Sequence, residues 1–462
     1  MGRGEIAVIG LGRSGRAVAE LIARYGGRAY VSDAGSGAGV RAAADELVAQ
    51  GIAVDVGHHD LERISRSLAV VASPGVPPTA PPLVTAAQVG IPILSEGEAA
   101  LAFLPNTTRY IAVTGTNGKT TVTALIHHLL TALGAKAVAA GNIGTPVSVL
   151  AMQNMPPEWI ALEMSSFQLH DTPSLAPTVG VLTNLAPDHL DRYASIDEYY
   201  GDKMRLFATA TARSRWVTNA DDPEVQRRVR GIPGTHHRFT VDANTDRSVT
   251  GEHPSCEGVA DLTHGEVTIF GTSFMRRADI PLLGDHNVAN VLAAVLAVAV
   301  ADPAHRTPDA RALMAAAIAT FGGMPHRLQV IGEVDGVQWI NDSKATNVSS
   351  ARVAVAGMIR PIVVLLGGRH KGESYETLIP LLQQHARLVI AYGEAAAQIE
   401  GDLAGHVPLE RLGSSFEEVV SRARAVAQPG DAVLLSPACS SFDMFSNYEE
   451  RGTTFQRLAV ET

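Results

Sequence analysis

Apolar residues fall along this chain in short blocks, each closed by glycine, serine, asparagine or proline. Between the blocks lie longer stretches rich in alanine. The first block, Ile6-Ala7-Val8-Ile9, runs into glycines, and it is followed by the Ala-rich stretch 16–25 and by Ala29-Tyr30-Val31-Ser32-Asp33. A short apolar run before a turn predicts a buried strand and the longer stretch a helix, so this reads as strand, helix, strand. Leu68-Ala69-Val70-Val71-Ala72 is a further strand, ending at Ser73-Pro74-Gly75. A second series opens at Tyr110-Ile111-Ala112-Val113 and continues through Trp159-Ile160-Ala161-Leu162-Glu163 and residues 179–184. The stretch from about residue 238 to 280 is richer in Thr, Val and Gly and predicts short antiparallel strands, with helices after Asp285 and over 308–321. Beyond the hinge-like Gly322-Gly323-Met324-Pro325 come three more strand runs, at 362–366, 388–392 and 432–436. Strands alternating with helices predict parallel sheets covered on both faces. The expectation is an α/β chain of three domains, 1–104, 105–323 and 324–462.

The 462 residues exceed what one compact core holds. A formal charge of -10 gives no basic footprint for nucleic acid or for an anionic membrane. The two cysteines, Cys256 and Cys439, support no disulfide framework and suit a reducing compartment. The longest apolar run, residues 291–301, is too short to span a bilayer and predicts a buried helix. The N-terminus enters a strand pattern almost at once, which leaves no room for a signal peptide. A soluble, cytoplasmic monomer with no nucleic-acid or membrane partner is expected.

Two glycine loops carry candidate chemistry. Gly10-Leu11-Gly12-Arg13-Ser14-Gly15 matches G-x-G-x-x-G between a strand and a helix, with Asp33 closing the next strand. Such a loop lets backbone approach a diphosphate at a helix N-terminus. A tight turn with close helix packing would give the same pattern. Thr114-Gly115-Thr116-Asn117-Gly118-Lys119-Thr120-Thr121 is the second loop. It differs from G-x-x-x-x-G-K-[ST] in that Val113 stands where the first glycine would be. Its backbone N–H groups can still cradle phosphates, Lys119 can reach the β/γ-phosphates, and the Thr120 hydroxyl can ligate Mg²⁺. ATP and Mg²⁺ are the expected cofactors.

This loop resembles the ATP loop of the Mur ligase and folylpolyglutamate synthase superfamily. Further blocks agree in order across nearly the whole chain. They are Gly141-Asn142-Ile143-Gly144, Glu163-Met164-Ser165-Ser166-Phe167-Gln168-Leu169, residues 184–192, residues 284–290, Pro325-His326-Arg327, residues 341–347, Gly367-Gly368-Arg369-His370-Lys371-Gly372 and residues 436–443. The resemblance implies an N-terminal Rossmann-like parallel sheet for a UDP-sugar. It implies a central P-loop-type ATPase domain with a parallel sheet plus a small antiparallel sheet, and a C-terminal Rossmann-like domain for an amino acid. It implies a ligase that phosphorylates a carboxylate and lets an amine attack the acyl phosphate. Residues 341–347 and the Ser436 block favour the members that add D-glutamate to UDP-N-acetylmuramoyl-L-alanine.

Residue by residue, the resemblance puts ATP on Gly115, Thr116, Asn117, Gly118, Lys119, Thr120 and Thr121. It adds His286, Asn287 and Asn290 near adenine, Arg327 on the γ-phosphate and Asp342 on ribose. Thr120, Glu163, His189 and a carbamylated Lys203 become the Mg²⁺ ligands, and Lys119, His189, Lys203 and Arg327 the catalytic set. The UDP-sugar falls to Gly12, Ser14, Asp33, Ser73, Gly75, Asn142 and His189. D-Glutamate falls to Lys344, Thr346, Lys371 and Ser441, with Phe442 and Tyr448 as walls. After Asp33 the chain has Ala34-Gly35, where some relatives have Thr and Arg. A nicotinamide oxidoreductase built on the first loop, or a P-loop switch protein, would leave most of these residues without a role. Ligases of the same superfamily with a different acceptor are the nearest alternative.

Overall fold

In the computed structural model, which describes residues 4–188, 193–242 and 256–460, the chain builds three sheets in sequence order. The first holds β1 (Glu5–Ile9), β2 (Arg28–Asp33), β3 (Ala53–Val56), β4 (Ala69–Ala72) and β5 (Ile93–Ser95), all parallel, in the order β3-β2-β1-β4-β5. Ala7, Val8 and Ile9 are buried, as a strand covered on both faces requires. The helix Arg13–Arg24 follows at once and buries Ala17, Val18, Leu21 and Ile22 at helical spacing. Gly15 in its first turn is a packing necessity: a Cβ there would lie 1.9 Å from the carbonyl oxygen of Gly10.

The second sheet holds β6 (Arg109–Thr114), β7 (Ala137–Gly141), β8 (Trp159–Glu163), β9 (Val179–Leu182), β10 (Arg215–Asn219), β11 (Thr235–Thr240), β12 (Gly258–Asp261), β13 (Glu266–Ile269) and β14 (Thr272–Arg276). Their order is β14-β13-β12-β11-β10-β9-β6-β8-β7. The strands up to β12 are parallel and the last two antiparallel. The antiparallel strands expected in this region therefore extend the same sheet at one edge. The apolar run ending at Ala301 lies in the helix Asp285–Ala301 and is buried on every side. Among the described residues no helix is long and apolar enough to cross a membrane.

The third sheet holds β15 (Gln329–Val334), β16 (Val337–Asn341), β17 (Ile362–Gly367), β18 (Ala386–Tyr392), β19 (Leu409–Arg411) and β20 (Ala432–Leu435), in the order β15-β16-β20-β17-β18-β19. Only the β15–β16 pair is antiparallel. The chain parts into two compact units, residues 1–277 with 289–319, and residues 278–288 with 320–462. The first two sheets belong to the former and the third to the latter.

In each sheet, adjacent strands send their crossovers to opposite sides at one point, and the loops at their carboxyl ends part to leave a crevice. That point falls between β1 and β4 in the first sheet, beside β6 in the second, and around β20 in the third. The glycine loop after β1 and the Lys119 loop after β6 each lie at one of these ends.

Candidate active site

The loop after β6 turns into the helix Lys119–Ala132 through Gly118, whose backbone is left-handed at φ 82°. A Cβ on Gly118 would lie 2.3 Å from the side-chain oxygen of Asn290, and one on Gly115, at φ 146°, would lie 2.0 Å from Thr183 Oγ1. Only glycine fits at either place. Asn290, expected at the adenine, thus sits against the phosphate loop.

The end of β9 clamps the loop. Thr183 Oγ1 donates to the Asn117 carbonyl at 2.6 Å, and Asn184 both accepts from the Asn117 N–H at 2.8 Å and donates to its carbonyl at 3.0 Å. Thr116 Oγ1 donates to the Ala186 carbonyl and accepts from the Ala186 N–H, each at 3.0 Å. The helix that follows is 14 residues long, and the N-terminus of such a helix favours an anion. Lys119 Nζ folds back onto the carbonyls of Gly115 at 3.0 Å and Thr116 at 2.8 Å.

Beside the loop, Glu163 ends β8 and is 1 % exposed. Its Oε1 accepts from Asn142 Nδ2 at 2.8 Å, while Oε2 is buried with no hydrogen-bond partner. An orphaned carboxylate oxygen in such a place costs several kcal/mol unless a cation completes it (roughly 1–3 kcal/mol or more for a charged group). Thr120, in the first turn of the adjoining helix, is also buried. A carboxylate and a hydroxyl are hard oxygen donors, and Mg²⁺ is held by few protein ligands with phosphates and water completing its shell. These two residues fit the ion. Asn142, expected on the UDP-sugar, spends its amide on Glu163.

Lys203 comes from the helix Ile196–Met204 and is 1 % exposed. Its Nζ donates to the Gly115 carbonyl at 2.7 Å and lies 4.5 Å from the centre of the Tyr199 ring. Burial, and then the nearby charge of Lys119, hold its amine well below the usual lysine range, against the pull of Asp188, Asp202 and Glu163. His189 lies outside the described residues.

Gly12, Ser14, Asp33, Ser73 and Gly75 all line one cavity of about 860 Å³ at the carboxyl end of the first sheet. Gly12 is the N-cap of the helix Arg13–Arg24, so this cavity too opens on a helix N-terminus.

In the third sheet, the loops after β16, β17 and β20 are drawn together by a residue that the motifs did not mark. Arg451, on the helix Tyr448–Val460, is fully buried. It donates to Ser343 Oγ at 3.0 Å, the Ser343 carbonyl at 2.8 Å, the Cys439 carbonyl at 3.1 Å and the Gly367 carbonyl at 3.5 Å. One guanidinium fork thereby joins three of the sequence blocks. Lys344 Nζ lies 5.0 Å from the centre of the Tyr448 ring, a cation–π distance. Thr346 is half-buried, Ser441 buried, and Lys371 and Phe442 exposed. Cys439 is buried against the Tyr375 hydroxyl, and burial pushes its thiol up to about 11, which makes it a poor nucleophile.

Arg327 is flanked by His326 at φ 61° and Leu328 at φ 40°, two non-glycine residues in the left-handed region. Backbone of that kind costs about 1–3 kcal/mol per residue and persists where surrounding contacts impose it. Asp342 supplies some of them. It accepts from the Leu328 N–H at 3.2 Å and from Ser436 Oγ at 2.8 Å. Of the other residues expected on the nucleotide, Asn287 donates to the Leu283 carbonyl at 2.7 Å, and His286 lies one residue before it in the first turn of Asp285–Ala301.

Three family models match this chain: the Mur ligase MurD-like N-terminal domain over residues 4–95, the Mur ligase middle domain over 113–298, and the Mur ligase glutamate ligase domain over 326–439. A UDP-N-acetylmuramoylalanine--D-glutamate ligase of Acidobacterium capsulatum is 39% identical over 456 residues, covering 99% of this chain and 96% of the relative. The chain belongs to the Mur ligase family. A ligase of the same name from Salinibacter ruber is 37% identical over 475 residues, covering 100% of this Mur ligase and 98% of the relative. Among solved structures, the MurF ligase of Thermotoga maritima in complex with ADP matches with a TM-score of 0.60 at 16% identity, covering 94% of this chain and 95% of that one. The UDP-N-acetylmuramate-alanine ligase of the same organism matches at 0.59 and 18%, covering 99% of both chains. At that identity the likeness speaks for the fold.

Asp342 gives this Mur ligase a measurable pH signature. Burial pushes its carboxyl up to about 7, against the opposing effects of Ser436, the Leu328 N–H, Arg327 and Arg451. The folded state therefore binds a proton that the unfolded state, with a carboxyl near 3.9, has released between about pH 4 and pH 7. The resulting stabilisation is complete below pH 4 and is lost as pH rises through 7. Relative to Asp342→Asn, the wild-type urea midpoint is expected to fall on going from pH 5 to pH 8, by an equivalent of up to ~3 kcal/mol. A parallel pH course for the two proteins would show that the buried carboxyl does not retain its proton.

Proposed function

We propose that this Mur ligase joins D-glutamate to UDP-N-acetylmuramoyl-L-alanine with the hydrolysis of ATP, through an acyl phosphate, releasing ADP and phosphate. The observation that carries this is similarity over essentially the whole length to ligases bearing that name, at 37–39% identity. In this reading the chain has three domains, 1–104 for the UDP-sugar, 105–323 for ATP and 324–462 for the amino acid, and works as a cytoplasmic monomer.

A carboxylate is a poor electrophile, and transfer of the γ-phosphoryl group to it is governed by positioning and charge neutralisation. The N–H groups from Gly115 to Thr121 hold the phosphates. Lys119 exchanges its two loop carbonyls for β/γ-phosphate oxygens. Thr120 and the orphaned oxygen of Glu163 would hold Mg²⁺, with His189 and carbamylated Lys203 as further ligands, and the ion would supply charge neutralisation. Arg327 faces the γ-phosphate and Asp342 the ribose, while His286, Asn287 and Asn290 attend the adenine. Lys344, Thr346, Lys371 and Ser441 bind the two carboxylates of D-glutamate between Phe442 and Tyr448. Lysines serve there as point charges. The amine attacks the acyl phosphate, the C–N bond forms, and phosphate leaves with its bonding pair.

The test is phosphate release with UDP-N-acetylmuramoyl-L-alanine, ATP and Mg²⁺, offering D-Glu, L-Glu, L-Ala and meso-diaminopimelate in turn. Release with D-Glu alone is expected, and release with another acceptor but not D-Glu sinks the assignment. In the same assay EDTA abolishes turnover. Glu163→Gln keeps the bond to Asn142 but loses the charge, and is expected to raise the Mg²⁺ concentration for half-activity by about 10–100-fold. An unchanged Mg²⁺ dependence removes Glu163 from the metal site.

A further inference from the structure

The cavity on the first sheet has one wall to which the roles above assign little. In a doubly wound sheet a nucleotide sets its diphosphate on the glycine loop at the switch point and extends its base past the neighbouring strand. Here the glycine loop follows β1, the switch lies between β1 and β4, and the base side is that of β2 and β3. The wall on that side is Asp33, Ala34 and His59. Ala34 and Gly35 carry no side-chain donor or acceptor. Asp33 is largely committed: Oδ2 accepts from the Leu11 N–H and Oδ1 from the Gly35 N–H, each at 2.7 Å, so its carboxylate ties the glycine loop to its own turn.

His59 stands differently. It follows β3, half-buried, with Nδ1 2.9 Å from Oγ of Ser32, a β2 residue with no exposed surface. A buried hydroxyl on one ring nitrogen fixes the orientation of an imidazole. Nε2 is left on the cavity side, the one side-chain donor on a wall whose only other polar group is an already bonded carboxylate.

We infer that His59 is a specificity-determining residue for the nucleotide of the sugar substrate: Nε2–H donates to the uracil carbonyl oxygen that an amino group replaces in cytosine, and Ser32 is its positioning partner. This rests on the UDP-sugar reading of the first domain. Burial holds the imidazole below the usual histidine range, so the ring is neutral near pH 7. A neutral ring whose Nδ1 accepts from Ser32 carries its proton on Nε2 and can only donate there. Uracil offers carbonyl oxygens on both sides of N3, whereas cytosine replaces one by an amino group. A donor facing that amino group leaves both unpaired, which is the sharper basis of discrimination. If instead His59 only packs the turn after β3 against β2, its loss lowers stability without altering the choice of base.

The experiment is titration calorimetry of UDP and of CDP into the full chain, for wild type, His59→Ala, His59→Gln and Ser32→Ala. ATP is titrated into each protein to verify that the Lys119 loop is intact. The wild type is expected to prefer UDP by about tenfold. His59→Ala is expected to weaken UDP about tenfold with little effect on CDP, so that the preference vanishes. His59→Gln, which retains an N–H donor, keeps part of it, and Ser32→Ala falls between. A His59→Ala protein that binds ATP normally and keeps the wild-type UDP/CDP ratio overturns the inference. That result is separable from failure of the ligase reading, because D-Glu-dependent phosphate release is measured on the wild type alone.

Discussion

Lys119→Met is expected to lower kcat/KM for ATP by about 10³-fold while leaving the melting temperature within a few degrees of wild type. Methionine matches lysine in length and helix propensity, so the first turn of Lys119–Ala132 keeps its backbone. What disappears is the ammonium that now donates to the Gly115 and Thr116 carbonyls. In phosphoryl transfer, charge spreads over the non-bridging oxygens, and losing one preorganised donor typically costs about 10²–10³. A second consequence adds to this, since the Lys119 charge also depresses the Lys203 amine. Steady-state phosphate release against ATP concentration, with a thermal melt as control, decides it. A kcat/KM within tenfold of wild type would mean that the loop does not hold the transferring phosphate.

The loop was legible in the sequence because close approach of backbone to backbone admits only glycine, and Gly115 and Gly118 are places where a Cβ collides. The three sheets were legible for a similar reason: strands buried on both faces must be written as apolar runs, and turns at their carboxyl ends as Gly, Ser and Pro. The clamps were not. Arg451 sits in a helix whose sequence, Tyr448-Glu449-Glu450-Arg451, reads as a solvated face, and its partners Ser343 and Gly367 lie 108 and 84 residues away. Asn184 belonged to a recognised block and Thr183 to the strand run before it, but their contact with the phosphate loop closes only once β9 pairs beside β6. Asp33 falls among the residues expected on the UDP-sugar, and its carboxylate also accepts from Leu11 and Gly35. His59, in a His-His-Asp turn, carried no pattern at all. Side-chain hydrogen bonds are spent on groups that tertiary folding delivers, so periodicity places an element without saying where its polar atoms go.

Lys203→Met is expected to reduce turnover by about 10³-fold or more and to leave the protein at least as thermostable as the wild type at neutral pH. Ordinarily the loss of a buried polar side chain destabilises. Here the buried group is an amine, near the Lys119 charge, held well below its usual range. The unfolded chain binds that proton more readily than the folded chain does, so folding is opposed by the difference. For a lysine depressed in this way the sign is fixed: stability rises with pH from the folded value up to about 10.4, where the unfolded amine also loses its proton. Methionine removes the penalty, retains most of the packing against Tyr199, and gives up one bond to the Gly115 carbonyl. The same depression makes a chemical role possible, because only the neutral amine attacks CO₂, and the carbamate so formed is an anionic oxygen ligand suited to Mg²⁺. Wild-type turnover is accordingly expected to fall in CO₂-depleted buffer and to return with bicarbonate, whereas Lys203→Met responds to neither. Turnover insensitive to Lys203→Met would remove the carbamate from the site, and a marked drop in melting temperature would show that the ammonium is held charged by its acidic neighbours after all.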